Sequence, residues 1–329
     1  MRGLPKQVAM SSKTMAPRLA LVLGSGGVRS LAAFGLIEVL WREGIAPDLI
    51  VGCSAGAMCG ALIAQGHPAK NAVKIATTLW TAEITRRHRW RAIPQMLWPR
   101  MGGFDADFAL RDDKLILARL SLAFGELRIE SLSPTLRVTA TDAATGATIV
   151  IDSGRVVDAL RASIAMPFMF APHPIGGRRL IDGFVSDPLP VSAAQDARAV
   201  IAFGFDAPMP TRVDRPTRML AQVTSAMTNN LMHARLAAAE SSGMELLRIF
   251  PKLKRRVGLF DTEALPYLVE EGRRAAEAAL PGLTALLGRT GEQFKTGHRS
   301  EAGREAHAAG VGQSAQASAS ASIEQNVCS

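Results

Sequence analysis

Cysteine is scarce in this chain: Cys53, Cys59 and Cys328 are the whole complement among 329 residues. An odd number without paired spacing excludes a disulfide scaffold and matches no zinc pattern; a reducing, intracellular setting is expected. No stretch reaches the ~18 uninterrupted apolar residues of a membrane-spanning helix. The nearest run, 49–64, is interrupted by Gly52, Ser54, Gly56 and Gly60. Residues 1–18 carry basic residues but no apolar block of signal-peptide length. No internal repeat is visible, and no helix-turn-helix or aromatic RNA-binding motif accompanies the basic residues, which argues against nucleic acid as a partner.

What is present is a foldable composition. Hydrophobic residues make up 48% and charged residues 20%, above the range of disordered chains. The formal charge of +9 directs attention to anionic partners: phosphate, nucleic acid or a lipid surface. Residues 1–16 read as a flexible leader. Residues 17–288 alternate short apolar runs with helical periodicity, the signature of an α/β domain with a parallel sheet. Strands are expected at 19–23, 48–53, 136–141, 148–151, 178–181, 199–205 and 244–250. Helices are expected at 31–43, 57–64, 69–88, 156–165, 217–241 and 262–280. The basic segment 86–103 reads as irregular. Residues 289–329 form an Ala/Ser-rich tail, most biased from about His298 onward, with too little apolar surface to offset the entropy of ordering.

Two turns stand out. Gly52-Cys53-Ser54-Ala55-Gly56 fits G-x-S-x-G between a strand and a helix. A nucleophilic serine there needs a sharp turn that flanking glycines permit, and the helix N-terminus favours developing negative charge. Small residues at such a turn also arise from packing alone. The second turn, Gly24-Ser25-Gly26-Gly27, follows the first strand and admits several readings. A dinucleotide fingerprint would need glycine where Arg29 stands, and a phosphate loop would need G-K-[ST]. An oxyanion hole built on Gly26 and Gly27, and a plain strand-to-helix turn, both remain open. Neighbouring parallel strands would bring the two turns to one sheet edge.

A serine nucleophile needs a base. None of the six histidines falls in a recognisable active-site turn; His173, in a Pro-rich stretch, is the best of them. Asp182 ends a short strand before Gly183, where a carboxylate would face the carboxyl edge of the sheet. It reads equally as a base made effective by burial and as a structural cap.

In order and spacing, three segments resemble the patatin-like phospholipases. They are 19–30 with its glycines and Arg29, 47–56 with the serine turn, and Arg161-Ala162-Ser163-Ile164-Ala165-Met166-Pro167 followed by Leu180-Ile181-Asp182-Gly183. The resemblance implies a three-layer α/β sandwich with a mostly parallel central sheet. It also implies a Ser54–Asp182 dyad without histidine, and an oxyanion hole from Gly26 and Gly27, to which Ala55 is added. Gly24, Ser25, Arg29, Gly52, Gly56 and Gly183 support the motifs. The implied reaction is hydrolysis of lipid acyl esters, phospholipid or lysophospholipid, without a cofactor. Departures from the family pattern are Ser25 and Ser30 in place of glycine, Phe184 after Asp182-Gly183, and Cys53 beside the serine, whose thiol is expected to be buried and inert. A non-catalytic relative that binds lipid or a partner protein is the rival reading.

The basic, aromatic stretch 86–101 and the basic stretch 251–256 suit transient contact with an anionic membrane surface, or serve as solvated loops. A cytoplasmic location, at most peripheral at the inner membrane surface, is the expectation.

Overall fold

The computed structural model describes residues 18–85 and 88–290. The leader expected at 1–16, and the tail expected at 289–329 apart from its first two residues, lie outside these residues. Five apolar strands run parallel in the order β3 (Thr135–Asp142), β2 (Leu49–Cys53), β1 (Leu19–Leu23), β7 (Ala199–Phe203), β8 (Leu246–Ile249). Three shorter strands join β3's side: β4 (Thr148–Ile151), β5 (His173–Ile175) and β6 (Arg178–Asp182), all paired antiparallel. Every side chain of β1 and β2 is buried, as a strand covered on both faces requires.

The period of two divides the core. Leu19, Leu21 and Leu23 pack beneath helices α1 (Ala33–Arg42), α2 (Ala55–Ala64), α3 (Ala69–Leu79), α6 (Lys114–Phe124), α7 (Val156–Ser163) and α9 (Leu265–Arg289). Ala20 and Val22 face a smaller layer made of residues 189–194 and α8 (Pro216–Ser241), through Met232 and Leu236. This is the expected three-layer α/β sandwich, with its larger core on one side of the sheet.

Several elements depart from expectation. The helix expected at 31–43 begins as a 3-10 turn over Gly27–Ala32. The expected helix at 69–88 stops at Leu79, and the segment read as irregular contains α4 (Ala92–Leu97) and the single turn α5 (Pro99–Gly102). Helix α6 was not expected. The last helix passes through Pro281 to Arg289 because Leu283, Leu286 and Leu287 are buried against the core, which outweighs the lost N–H.

The pairing of β3 positions the site. Residues Val138 and Thr139 pair with both β2 and β4, so those two strands occupy opposite edges. Ala140 and Thr141 pair with both β4 and β6, which puts β6 on the edge β2 has just left. Strands β2 and β6 thus meet end to end along β3: Cys53 pairs with Thr139, and Asp182 pairs with Ala140. Asp182 was expected at the carboxyl edge of the sheet, and it arrives there on an antiparallel strand coming from outside.

Candidate active site

Ser54 follows β2 with φ 55° and ψ −127°, a conformation a side chain adopts only under constraint. The constraint is visible. The Ser54 N–H donates to Ser163 Oγ at 2.8 Å, and Ser163 Oγ donates to the Thr139 carbonyl at 2.7 Å. Glycines make the turn fit: a Cβ on Gly52 would lie 2.4 Å from Ala57 Cα, and one on Gly56 2.5 Å from the carbonyls of Leu23 and Gly24. The first turn of α2 is thereby pressed against the end of β1.

Ser54 Oγ donates to Asp182 Oδ2 at 2.8 Å. The other carboxylate oxygen accepts from the Phe184 N–H at 3.1 Å. Thr141 Oγ1 donates to the Asp182 carbonyl at 2.9 Å, and the Asp182 N–H donates to the Ala165 carbonyl at 2.9 Å. Gly183 is required beyond it, because a Cβ there would sit 2.7 Å from the Thr139 carbonyl and 2.9 Å from Cys53 Sγ. Asp182 is fully buried, with no cation against it among the described residues. Burial raises its pKa from 3.8 to about 7, against the opposing pull of the Phe184 and Ser54 hydrogen bonds.

The turn after β1 faces this pair. The Ser25 N–H is committed to the Pro188 carbonyl and the Val28 N–H to the Leu259 carbonyl. Those of Gly26, Gly27 and Ala55 have no protein acceptor among the described residues. Arg29 folds back, its Nε donating to the Gly26 carbonyl at 3.2 Å and its guanidinium lying over the Phe205 ring. Gly27 has φ 59° under Leu259, whose Cδ1 would be 2.3 Å from an added Cβ. Of the two serines at expected glycine positions, Ser25 lines the cavity and Ser30 donates to the Gly24 carbonyl at 3.1 Å.

A cavity of about 170 Å³ opens here. The loops after β1, β2, β6 and β7 all reach it, through Gly26, Ser54, Phe184 and Phe205. Thr224 and Thr228 of α8, Trp80, Met166 and Leu259 complete its wall. The histidine considered as a base is elsewhere: His173 lies on β5 with Nε2 3.3 Å from Asp158 Oδ1, and burial lowers its pKa. Cys53 is buried, and desolvation holds its thiol pKa well above the ordinary value, as expected of an inert thiol.

Ser163, Leu259 and the α8 threonines were not singled out as site residues from sequence. Ser163 falls within a segment that carries the resemblance, but its contact depends on a β3 carbonyl distant in the chain. Leu259 and α8 are brought in by the last third of the fold and carry no local motif.

The chain is 36% identical over 176 residues to an uncharacterised NTE family protein of Mycobacterium bovis, covering 54% of this chain and 45% of that one. It is 27% identical over 188 residues to a lysophospholipase of Kluyveromyces lactis, covering 57% of this chain and 12% of the relative. The chain spans about half the length, or less, of the curated relatives it matches first. Among solved structures, VipD from Legionella pneumophila superposes with a TM-score of 0.41 at 14% identity, over 81% of this chain and 67% of that one. The model of the family described as patatin-like phospholipase matches residues 21–194. That span is more than half of the chain and contains both turns and Asp182, so this chain belongs to the patatin-like phospholipase family.

Proposed function

We propose that the protein is a serine acyl hydrolase acting on lipid esters, with Ser54 as nucleophile and Asp182 as its base. The observation that carries the reading is the 2.8 Å hydrogen bond between Ser54 Oγ and Asp182 Oδ2, both buried at the floor of the cavity. A phospholipid or lysophospholipid substrate is supported by the family and by the name of the Kluyveromyces lactis relative.

Ser54 Oγ attacks the ester carbonyl carbon and its proton passes to Asp182 Oδ2. The carbonyl oxygen becomes an oxyanion, which the N–H groups of Gly26, Gly27 and Ala55 receive with the N-terminal dipole of α2 behind them. Collapse breaks the ester bond, and the leaving alkoxide takes the proton from Asp182. Water then attacks the acyl-serine as Asp182 accepts its proton, releasing the acid and restoring Ser54. A carboxylate with a pKa of about 7 is well matched to this work, since a base is most effective when its pKa lies near the working pH.

Turnover of a soluble p-nitrophenyl ester tests the assignment. Ser54→Ala and Asp182→Asn are each expected to fall to background. Full activity in either variant removes the dyad, and an inactive wild-type chain that still binds lipid leaves the non-catalytic reading.

A further inference from the structure

Helices α4 and α5 present Trp90, Ile93, Met96, Leu97, Trp98 and Met101 to solvent, Met101 at 89% exposure. Ile93, Met96 and Leu97 follow i, i+3, i+4 spacing and share a face that stays more than half exposed, Ile93 and Met96 bordering a shallow pocket with Trp90 and Leu110. The guanidinium groups of Arg91 and Arg100 are exposed between them and meet no hydrogen-bond or ion-pair partner among the described residues.

This arm is joined to the cavity. Phe104 packs on Phe108 at 4.9 Å between ring centroids, and Phe108 meets Phe168 edge-on at 6.4 Å. Phe168 lies two residues beyond Met166 in the cavity wall. It has φ 66°, a costly conformation for a bulky residue, and it leaves the ring 69% exposed. Two backbone bonds hold it so: the Leu110 N–H to the Phe168 carbonyl at 2.8 Å, and the Arg111 N–H to the Met169 carbonyl at 3.0 Å. Two nitrogens of the Arg111 guanidinium, Nε and Nη1, have no protein partner among the described residues.

A second exposed arm adjoins the cavity through α8. On α8, Thr224 and Thr228 line the cavity, and Leu220 extends their stripe one turn outward. Met219, Val223 and Met227 form the adjacent exposed stripe. Arg212 and Arg215 are exposed at the start of this helix, beside the Arg218–Asp214 ion pair at 2.8 Å. Lys252, Lys254 and Arg256 are exposed on the loop that carries Leu259.

We infer that the two arms dock the protein on an anionic lipid bilayer, with the mouth of the cavity facing the membrane. Apolar and tryptophan side chains interleaved with unpaired arginines match the chemistry of an acidic bilayer interface better than that of a protein groove. The cavity size supports the same conclusion. At about 170 Å³ it is close to an engineered cavity of about 150 Å³ that admits one benzene, so it holds an ester and only the first carbons of its chain. The rest of a lipid acyl chain must run past Phe168 or α8, which is favourable when those surfaces are already immersed in lipid. This inference rests on the proposed lipid-ester substrate, and docking can be measured without turnover.

The test is co-sedimentation of the full chain with vesicles of phosphatidylcholine alone and of phosphatidylcholine mixed with phosphatidylglycerol, alongside tryptophan emission. Binding and a blue shift are expected on the anionic vesicles only. The double variant Trp98→Ala/Met101→Ser should weaken binding at least tenfold, and Arg91→Ala and Arg100→Ala about fivefold each. All four positions are exposed, and unchanged thermal melts would show that the variants remain folded. Ser54→Ala should bind vesicles like the wild type, while Trp98→Ala/Met101→Ser should hydrolyse a soluble ester at the wild-type rate. A wild-type chain that binds anionic vesicles but hydrolyses no ester, or a Ser54→Ala variant that binds them and keeps full turnover, would count against the dyad and leave docking in place. Equal binding to neutral and anionic vesicles, binding unaffected by the arm variants, or self-association through these residues without vesicle binding would overturn the inference.

Discussion

Asp182 is a carboxylate kept in an apolar place at a cost to the fold. Its pKa is raised above the unfolded value of 3.8 to about 7, so the unfolded chain gives up this proton first as pH rises. Stability therefore falls between about pH 4 and 7 and levels off above. Asp187, also buried, with one carboxylate oxygen lacking a protein partner, is raised by burial to about 6 and acts in the same direction. Asp182→Asn removes the ionisable group while keeping an acceptor for Phe184, and is expected to stabilise the protein at neutral pH by about 2–4 kcal/mol while abolishing turnover. Chemical denaturation at pH 5 and pH 8 checks this, because the gain should be small at the lower pH and large at the higher. For the same reason kcat/KM on a soluble ester should rise tenfold per pH unit below about 7 and then level off. Under the proposed function Ser163 is a positioning residue: its Oγ accepts from the strained Ser54 N–H, and it is not part of the cavity wall. Ser163→Ala should lower kcat about tenfold or more with KM nearly unchanged, and Ser163→Thr, which retains the hydroxyl, should restore part of the loss.

At the scale of elements, β3 is the organising strand, because β2 and β6 share one of its edges and meet where Thr139 gives way to Ala140. That junction explains how much of the site could be read from sequence. The strand–turn–helix around Ser54 is a local pattern, and the two glycine-flanked turns reveal themselves by spacing. The antiparallel course of β6 is not local, since Arg178–Asp182 reads alike in either direction. The destination of Asp182 was therefore legible and its route was not. Helix α6 was missed for a related reason. Its buried residues are Ile116, Leu120 and Phe124, one at each turn, and they gain their meaning only from α7 and α3 beneath them. Its start is tied down by Arg161, almost completely buried, whose guanidinium donates twice to Asp113 Oδ2, at 2.7 and 3.1 Å, and once to the Ala171 carbonyl at 3.0 Å. Burial pushes the Asp113 pKa up, but Arg161 overcomes this and leaves it below the ordinary value. Removing one member of such a pair strands the other, so Arg161→Ala should cost about 3 kcal/mol in a denaturation experiment. It should also loosen residues 166–171, which carry Met166 to the cavity.

For the whole molecule, a single sheet edge collects the Ser54 turn, the glycine turn and the carboxylate, and α8 and the loop carrying Leu259, both after β7, complete the cavity wall. The composition pointed to anionic partners without choosing one, and the folded surface is more specific: exposed tryptophans, methionines and arginines are grouped at residues 90–101, and methionines and arginines at the start of α8. Among the described residues, no helix is long and apolar enough to cross a membrane. All of this depends on whether Ser54 is made reactive by Asp182. A fluorophosphonate probe mapped by peptide mass spectrometry answers that most directly, because it needs no knowledge of the natural lipid. The account predicts a single modified residue, Ser54, in the wild-type chain and little or no label in Asp182→Asn. Label on another serine, or undiminished labelling of Ser54 without the carboxylate, would contradict it.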